Sequence, residues 1–77
     1  MENNDFIPKD GYYEQFYDDG SLDYRGAYFN GKQHGEWESY WGNGNLWYRG
    51  SFNNGQLIGH WEFRSYNGEI IIETFYT

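Results

Sequence analysis

The chain has 77 residues, enough for one small domain. Five Lys and Arg against twelve Asp and Glu leave a net charge of −7. That balance argues against direct nucleic-acid binding and against docking on an anionic membrane, since both need a basic footprint. The absence of cysteine excludes a disulfide framework and a thiolate metal site, and is compatible with the cytoplasm.

The longest aliphatic run is Ile70-Ile71-Ile72, short of a signal peptide or a membrane span, so the chain reads as soluble and unanchored. Mean hydropathy is −1.04, which alone leans toward weak folding. Four Trp, nine Tyr and six Phe point the other way, because a disordered chain does not carry that many rings. Rings with eleven Gly and few aliphatics suggest strands and tight turns.

In chain order, residues 1–10 (MENNDFIPKD) have no periodicity and read as a disordered lead or an edge cap using Phe6 and Ile7. The β-repeat domain follows, residues 11–77. Residues 11–34 align without a gap on residues 35–58, a period of 24 residues. Gly11/Gly35, Glu14/Glu38, Gly20/Gly44, Leu22/Leu46, Tyr24/Tyr48, Arg25/Arg49, Gly26/Gly50, Asn30/Asn54 and Gly31/Gly55 are identical. A third, degenerate copy runs from Gly59 to Thr77. Asp19-Gly20, Asn30-Gly31, Asn43-Gly44, Asn54-Gly55 and Asn67-Gly68 are all candidate two-residue type I′ turns. They predict six strands, about 11–17, 22–29, 32–41, 46–53, 56–65 and 70–76. The expected fold is all-β, an antiparallel six-stranded meander of three β-hairpin repeats in a single-layer sheet.

Two-residue turns also predict which residues oppose each other. Within hairpins the pairs are Glu14–Arg25, Tyr13–Gly26, Glu38–Arg49, Trp37–Gly50, Tyr40–Trp47 and Glu62–Glu73. Between repeats they are Tyr24–Trp37, Arg25–Glu36, Gly26–Gly35, Asp23–Glu38, Ala27–His34, Tyr48–Trp61, Gly50–Gly59 and Arg49–His60. One face then collects Tyr13, Tyr17, Leu22, Tyr24, Tyr28, Trp37, Trp41, Leu46, Tyr48, Phe52, Trp61, Phe63, Ile70, Ile72 and Tyr76, with rings folding over the glycines. The other face collects the ionised groups, with Tyr12, Phe16, Tyr40 and Trp47 among them.

The motif Gly-x-Trp-x-x-Tyr, two residues, Asn-Gly-x-Leu, then Tyr-x-Gly and Asn-Gly resembles the MORN repeat, and looks most like its bacterial, antitoxin-type branch. Gly35, Trp37, Tyr40, Asn43, Gly44, Leu46, Gly50, Phe52, Asn54 and Gly55 carry the resemblance, which covers residues 11–76. It implies β-hairpin repeats and a protein-binding scaffold without catalytic residues of its own. Lipid binding, proposed for some members, needs basic residues that this acidic chain lacks.

No catalytic constellation emerges. His34 and His60 occupy different repeat positions, and no nucleophile–base–orienter chain forms around them. The Asp23–Glu38 pair reads as part of a charge ladder rather than a metal or acid/base site. The chain is therefore expected not to be an enzyme and to need no metal or cofactor. Aromatic and Arg anchors suit protein–protein contacts. Residues 1–23 hold seven acids and only Lys9, so the first third steers toward a basic partner.

The candidate partner-binding residues are Tyr12, Phe16, Tyr40, Trp47, Arg49, Asp18, Asp19 and Asp23. The expected function is a non-catalytic protein–protein interaction module, an antitoxin or small inhibitor acting by occlusion. A module binding sugars or quaternary ammonium groups, and a self-associating repeat protein using edge strands 11–17 and 70–76, are the alternatives.

Overall fold

The computed structural model describes residues 9–77. Six strands form one antiparallel sheet in sequence order: β1 (Gly11–Phe16), β2 (Leu22–Phe29), β3 (Lys32–Tyr40), β4 (Leu46–Asn53), β5 (Gln56–Arg64) and β6 (Ile70–Tyr76). This is the meander that the turn spacing predicts. The proposed cover by Phe6 and Ile7 lies outside the described residues.

The five turns fall into two classes. Asn30-Gly31 and Asn54-Gly55 are two-residue turns, closed by Phe29–Lys32 and Asn53–Gln56. Both residues of each are left-handed, with φ of 52° and 80° at the first and 51° and 89° at the second, as a type I′ turn requires. The turns within hairpins are three-residue loops instead. Tyr17 N–H donates to Ser21 O at 2.8 Å and Gly20 N–H to Tyr17 O at 2.9 Å. Trp41–Asn45 and Ser65–Glu69 repeat that arrangement. Only the glycine is left-handed here, so the loop is a type I turn ending in a glycine bulge.

The longer loop offsets the nearest pairs by one residue: Phe16–Leu22, Tyr40–Leu46 and Arg64–Ile70. One extra residue on the returning strand, Asp23, Trp47 or Ile71, then restores the register. Beyond that bulge the predicted pairs Tyr13–Gly26, Glu14–Arg25, Trp37–Gly50, Glu38–Arg49 and Glu62–Glu73 all hold. Two expectations change. Tyr40 opposes Leu46 rather than Trp47, and Leu22, Leu46 and Ile70 lie on the face away from the ring core.

The inter-repeat register differs more. Ala27 opposes His34 as expected, but the next pair is Arg25–Glu38. Gly26 alone thus faces the three residues Gly35, Glu36 and Trp37. The same happens where Gly50 faces Gly59, His60 and Trp61. Gly35 and Gly59 are left-handed, φ 81° and 69°, which lets β3 and β5 leave the ladder there. Arg25–Glu36, Asp23–Glu38, Tyr24–Trp37, Gly26–Gly35, Tyr48–Trp61, Gly50–Gly59 and Arg49–His60 are therefore not pairs. Tyr24–Ser39, Arg25–Glu38, Tyr48–Phe63 and Arg49–Glu62 replace them. Because two residues are inserted and the side-chain period is two, no side chain changes face.

Each bulge carries an indole across to the neighbouring strand. The Trp37 indole lies on Gly26 and donates from Nε1 to Ala27 O at 3.1 Å. Trp61 does the same to Gly50 and Ser51 O. Both tryptophans are 2% exposed. Around them the rings run without a break from β1 to β6, through Tyr13, Tyr24, Trp37, Phe52, Trp61 and Tyr76, with centroids 5.1–6.4 Å apart. The molecule measures 36 × 33 × 14 Å. Among the described residues all six strands lie in one sheet, with no second layer of strand or helix over it. The core is thus a ring-covered face of one sheet. Among the described residues no helix is long and apolar enough to cross a membrane.

Candidate partner-binding site

The face opposite the rings carries a second unbroken row. Glu14, Arg25, Glu38, Arg49, Glu62 and Glu73 oppose one another across all six strands. Arg25 Nε reaches Glu38 Oε1 at 2.7 Å, and the Tyr40 hydroxyl donates to the same oxygen at 2.8 Å. Burial works to raise the pKa of Glu38, but the Tyr40 hydroxyl and the two arginines prevail and hold it below the ordinary glutamate value. Burial, then Glu38, push the Tyr40 phenol up.

The alternation of sign fails at Glu62–Glu73. Arg64, at the repeat position of Tyr40, compensates by donating from Nε and Nη2 to Glu62 Oε2 at 2.8 and 2.7 Å. Arg49 Nη2 lies 3.2 Å from Glu62 Oε1. The Arg64 bond, with Arg49 beside it, keeps the nearly buried Glu62 below the ordinary carboxylate range. Glu73 turns to His60 Nε2 at 3.0 Å. Tyr12 and Arg49 line shallow depressions on this face, shared with Arg25 and Glu36 in one case and with Glu36 and His60 in the other.

The first repeat holds a different feature at its turn end. Phe16, Tyr17, Asp18, Asp19, Asp23 and Gly42 line an open depression of about 540 Å³. The repeat explains why it is open. One repeat further on, the positions of Tyr17, Asp23 and Gly42 are held by Trp41, Trp47 and Tyr66. There Trp47 stacks on Trp41 at 4.4 Å and 24°, and Tyr66 meets Trp41 edge-on at 5.9 Å. Asn43 and Asn45 both donate to Tyr66 O, holding its loop over the stack. In the first repeat a carboxylate and a glycine stand where those two rings would be.

The walls of this slot are acidic. Ser21 donates to Asp19 Oδ1 from its hydroxyl at 2.6 Å and its N–H at 2.9 Å, which lowers the Asp19 pKa. The Tyr17 hydroxyl donates to Tyr40 O, as Trp41 Nε1 does to Arg64 O one repeat later. Burial, followed by the nearby Asp23 carboxylate, raises the Tyr17 pKa, so the phenol stays neutral at pH 7. Phe16 is 51% exposed at the rim. Among the described residues no basic residue lines the slot.

Of the eight residues read from the sequence, Phe16, Asp18, Asp19 and Asp23 are brought together here. Tyr12, Tyr40 and Arg49 belong to the charged row, and Trp47 is part of the ring cluster of the second repeat. The sequence reading passed over Tyr17 and Gly42 in the slot and Arg64 on the row. Setting repeat positions 23/47 and 42/66 side by side is the signal that finds the slot. Among the described residues no group of three His, Cys, Asp or Glu is placed to hold a metal ion.

The MORN repeat variant profile matches residues 9–32 and 33–54, more than half of the chain. The chain belongs to the MORN repeat variant family. No curated protein and no solved structure matches it. The first MORN match starts at residue 9, and the hydrogen bonds share that phase. Gly31 N–H donates to Lys9 O and Gly55 N–H to Gln33 O, both at 2.8 Å. Asp10 Oδ1 accepts from Asn30 N–H and His34 Nδ1 from Asn54 N–H. MORN repeats generally mediate protein or membrane interactions.

Proposed function

We propose that this MORN protein is a non-catalytic module that binds a protein with a basic surface through the acidic slot of its first repeat. One observation carries the reading. The slot keeps the ring floor of the second repeat, Tyr17 for Trp41, but replaces its flat occupant by Asp23 and its cover by Gly42. An arginine of a partner suits such a place, since a guanidinium stacks on an aromatic ring and bonds carboxylates in a forked geometry. Phe16 supplies apolar contact at the rim. In its concrete form the module is a cytoplasmic inhibitor, of antitoxin type, whose stiff sheet covers the functional surface of its partner.

The sugar or quaternary-ammonium reading is weaker. Trp37 and Trp61, the best ring platforms, have their faces against glycine and are almost fully buried.

The test is capture by the tagged full chain, repeated with Asp18→Lys, with Gly42→Tyr to fill the slot, and with Arg49→Ala on the charged row. A stoichiometric basic partner lost with the first two variants and kept with the third supports the reading. Recovery of no such partner, or recovery indifferent to both slot variants, ends it.

A further inference from the structure

Among the described residues β6 is an outer strand, with β5 on one side and nothing on the other. Its side chains are unusually apolar for that position. Ile71 is 62% and Phe75 72% exposed, with Ile70, Ile72 and Tyr76 exposed beside them. An outer strand presents unpaired backbone N–H and C=O groups, and natural sheets guard it with charge, proline or bulges. β6 has one charge, Glu73, already engaged with His60, and its bulge at Ile71 leaves Ile72–Tyr76 regular.

We propose that β6 pairs antiparallel with β6 of a second copy, joining two sheets across a two-fold axis at Thr74. Charge selects this occupant. Among the described residues Asp10, Glu14, Asp18, Asp19 and Asp23 crowd onto β1, its flanks and the start of β2, at the β1 end of the sheet. Pairing β6 with β6 keeps both acidic ends at the far extremes, whereas pairing that uses β1 brings at least one of them to the junction. Symmetry agrees, because an isologous contact closes at two copies and consumes the apolar edge, while β6 on β1 runs on into a filament.

Register selects the axis. Centred on Glu73, the pairing sets like charges opposite. Centred on Thr74, it sets Ile72 against Tyr76 of the second copy on the ring face, and Glu73 against Phe75 on the other. The cross-strand pairs Phe63–Ile72 and Gly59–Tyr76 then continue into the second molecule. The dimer leaves the first-repeat slot open at both ends, so its test is independent of the partner reading.

A seven-residue strand offers less than a standard interface, so association is expected to depend on concentration. Sedimentation velocity on the full chain, from low-micromolar to near-millimolar concentration, is expected to show monomer passing to dimer. Phe75→Glu sets like charges opposite at Glu73 of the second copy and is expected to weaken that association at least tenfold with the circular dichroism unchanged. The chain has no cysteine, so Thr74→Cys gives a single thiol at the axis. Directly opposed strand residues lie within disulfide reach. Mild oxidation is expected to cross-link Thr74→Cys well ahead of Tyr12→Cys on β1. A monomer at every concentration, a dimer indifferent to Phe75→Glu, or equal cross-linking of the two cysteine variants overturns the proposal. Should Phe75→Glu fail to fold, the cysteine pair decides alone.

Discussion

The indole of Trp37 lies against Gly26 so closely that a Cβ there would stand 2.1 Å from two of its ring atoms. Trp61 and Gly50 repeat the contact at 2.0 Å. Neither ring can slide away, because each is tied by its Nε1 to the strand that it covers. Gly26→Ala and Gly50→Ala should therefore each cost about 3 kcal/mol, the upper end of overpacking penalties. Gly42→Ala is the control, with nothing within 4 Å of its Cβ direction and no left-handed φ. Urea unfolding should show the midpoint falling sharply for the first two and hardly moving for the third. Equal effects at all three would show that these indoles are not fixed on glycine.

The two turn classes give a second contrast. Asn54 is left-handed at φ 51°, whereas Asn67 is not left-handed. Alanine in the left-handed region costs about 1–2 kcal/mol. Asn54→Ala should lose about 1 kcal/mol and Asn67→Ala less than about 0.5 kcal/mol, as for an ordinary surface change. Thermal unfolding of the two variants side by side decides it. The reverse order would place the type I′ turns within the hairpins rather than between them.

Asp10 and His34 are equivalent in the repeat and hold the same N–H, but not equally well. Asp10 Oδ1 accepts from Asn30 N–H at 2.9 Å, while His34 Nδ1 accepts from Asn54 N–H at 3.3 Å. A carboxylate in place of the imidazole should shorten the second bond and make it charge-assisted. His34→Asp is expected to stabilise by about 0.5 kcal/mol, which raises Tm by about 2–4 °C in a domain of this size. His34→Ala should lower it. A fall in Tm for His34→Asp would mean that the imidazole does something other than accept this bond.

Much of this structure was readable before any coordinates. Asn-Gly and Asp-Gly recur at fixed offsets, so the six strands and the hairpin pairs beyond the bulges follow from spacing alone, while Tyr40, next to the loop, pairs with Leu46 and not Trp47. The spacing predicts two-residue turns within hairpins as well, where the structure has three-residue loops, and the bulges at Asp23, Trp47 and Ile71 restore the same register beyond them. The inter-repeat register was not readable. Gly35-Glu36 and Gly59-His60 carry no turn dipeptide, so nothing local marks their left-handed glycines. The cause is tertiary, the need of Trp37 and Trp61 to reach a glycine on the next strand. That shift joins Arg25 to Glu38 and Arg49 to Glu62, and so turns separate ion pairs into one row. The slot was half readable. Its acids stood out as charge, but its shape depends on what Gly42 lacks compared with Tyr66.

The charged row makes stability fall on the acid side. Glu38 and Glu62 have folded pKa values below the ordinary glutamate value of about 4.3. Between the lowered and the ordinary value the unfolded chain binds more protons than the folded one, so stability drops as pH drops. Their contribution is complete above the ordinary value and is lost as pH falls through the lowered one. Tyr17, Tyr28 and Tyr40 act at the other end. Their folded pKa values are raised, chiefly by burial, so their contribution is complete below about 10 and is lost as pH rises through the raised values. Urea midpoints measured across pH should form a plateau that descends below about pH 5 and above about pH 10. Glu62→Gln should lower the plateau by about 1–2 kcal/mol, since it breaks charge-assisted bonds from both Arg49 and Arg64. It should also flatten the acid limb, because one of the row's two carboxylates that resist protonation is gone. An acid limb as steep in Glu62→Gln as in the parent chain would move the origin of acid sensitivity off the row.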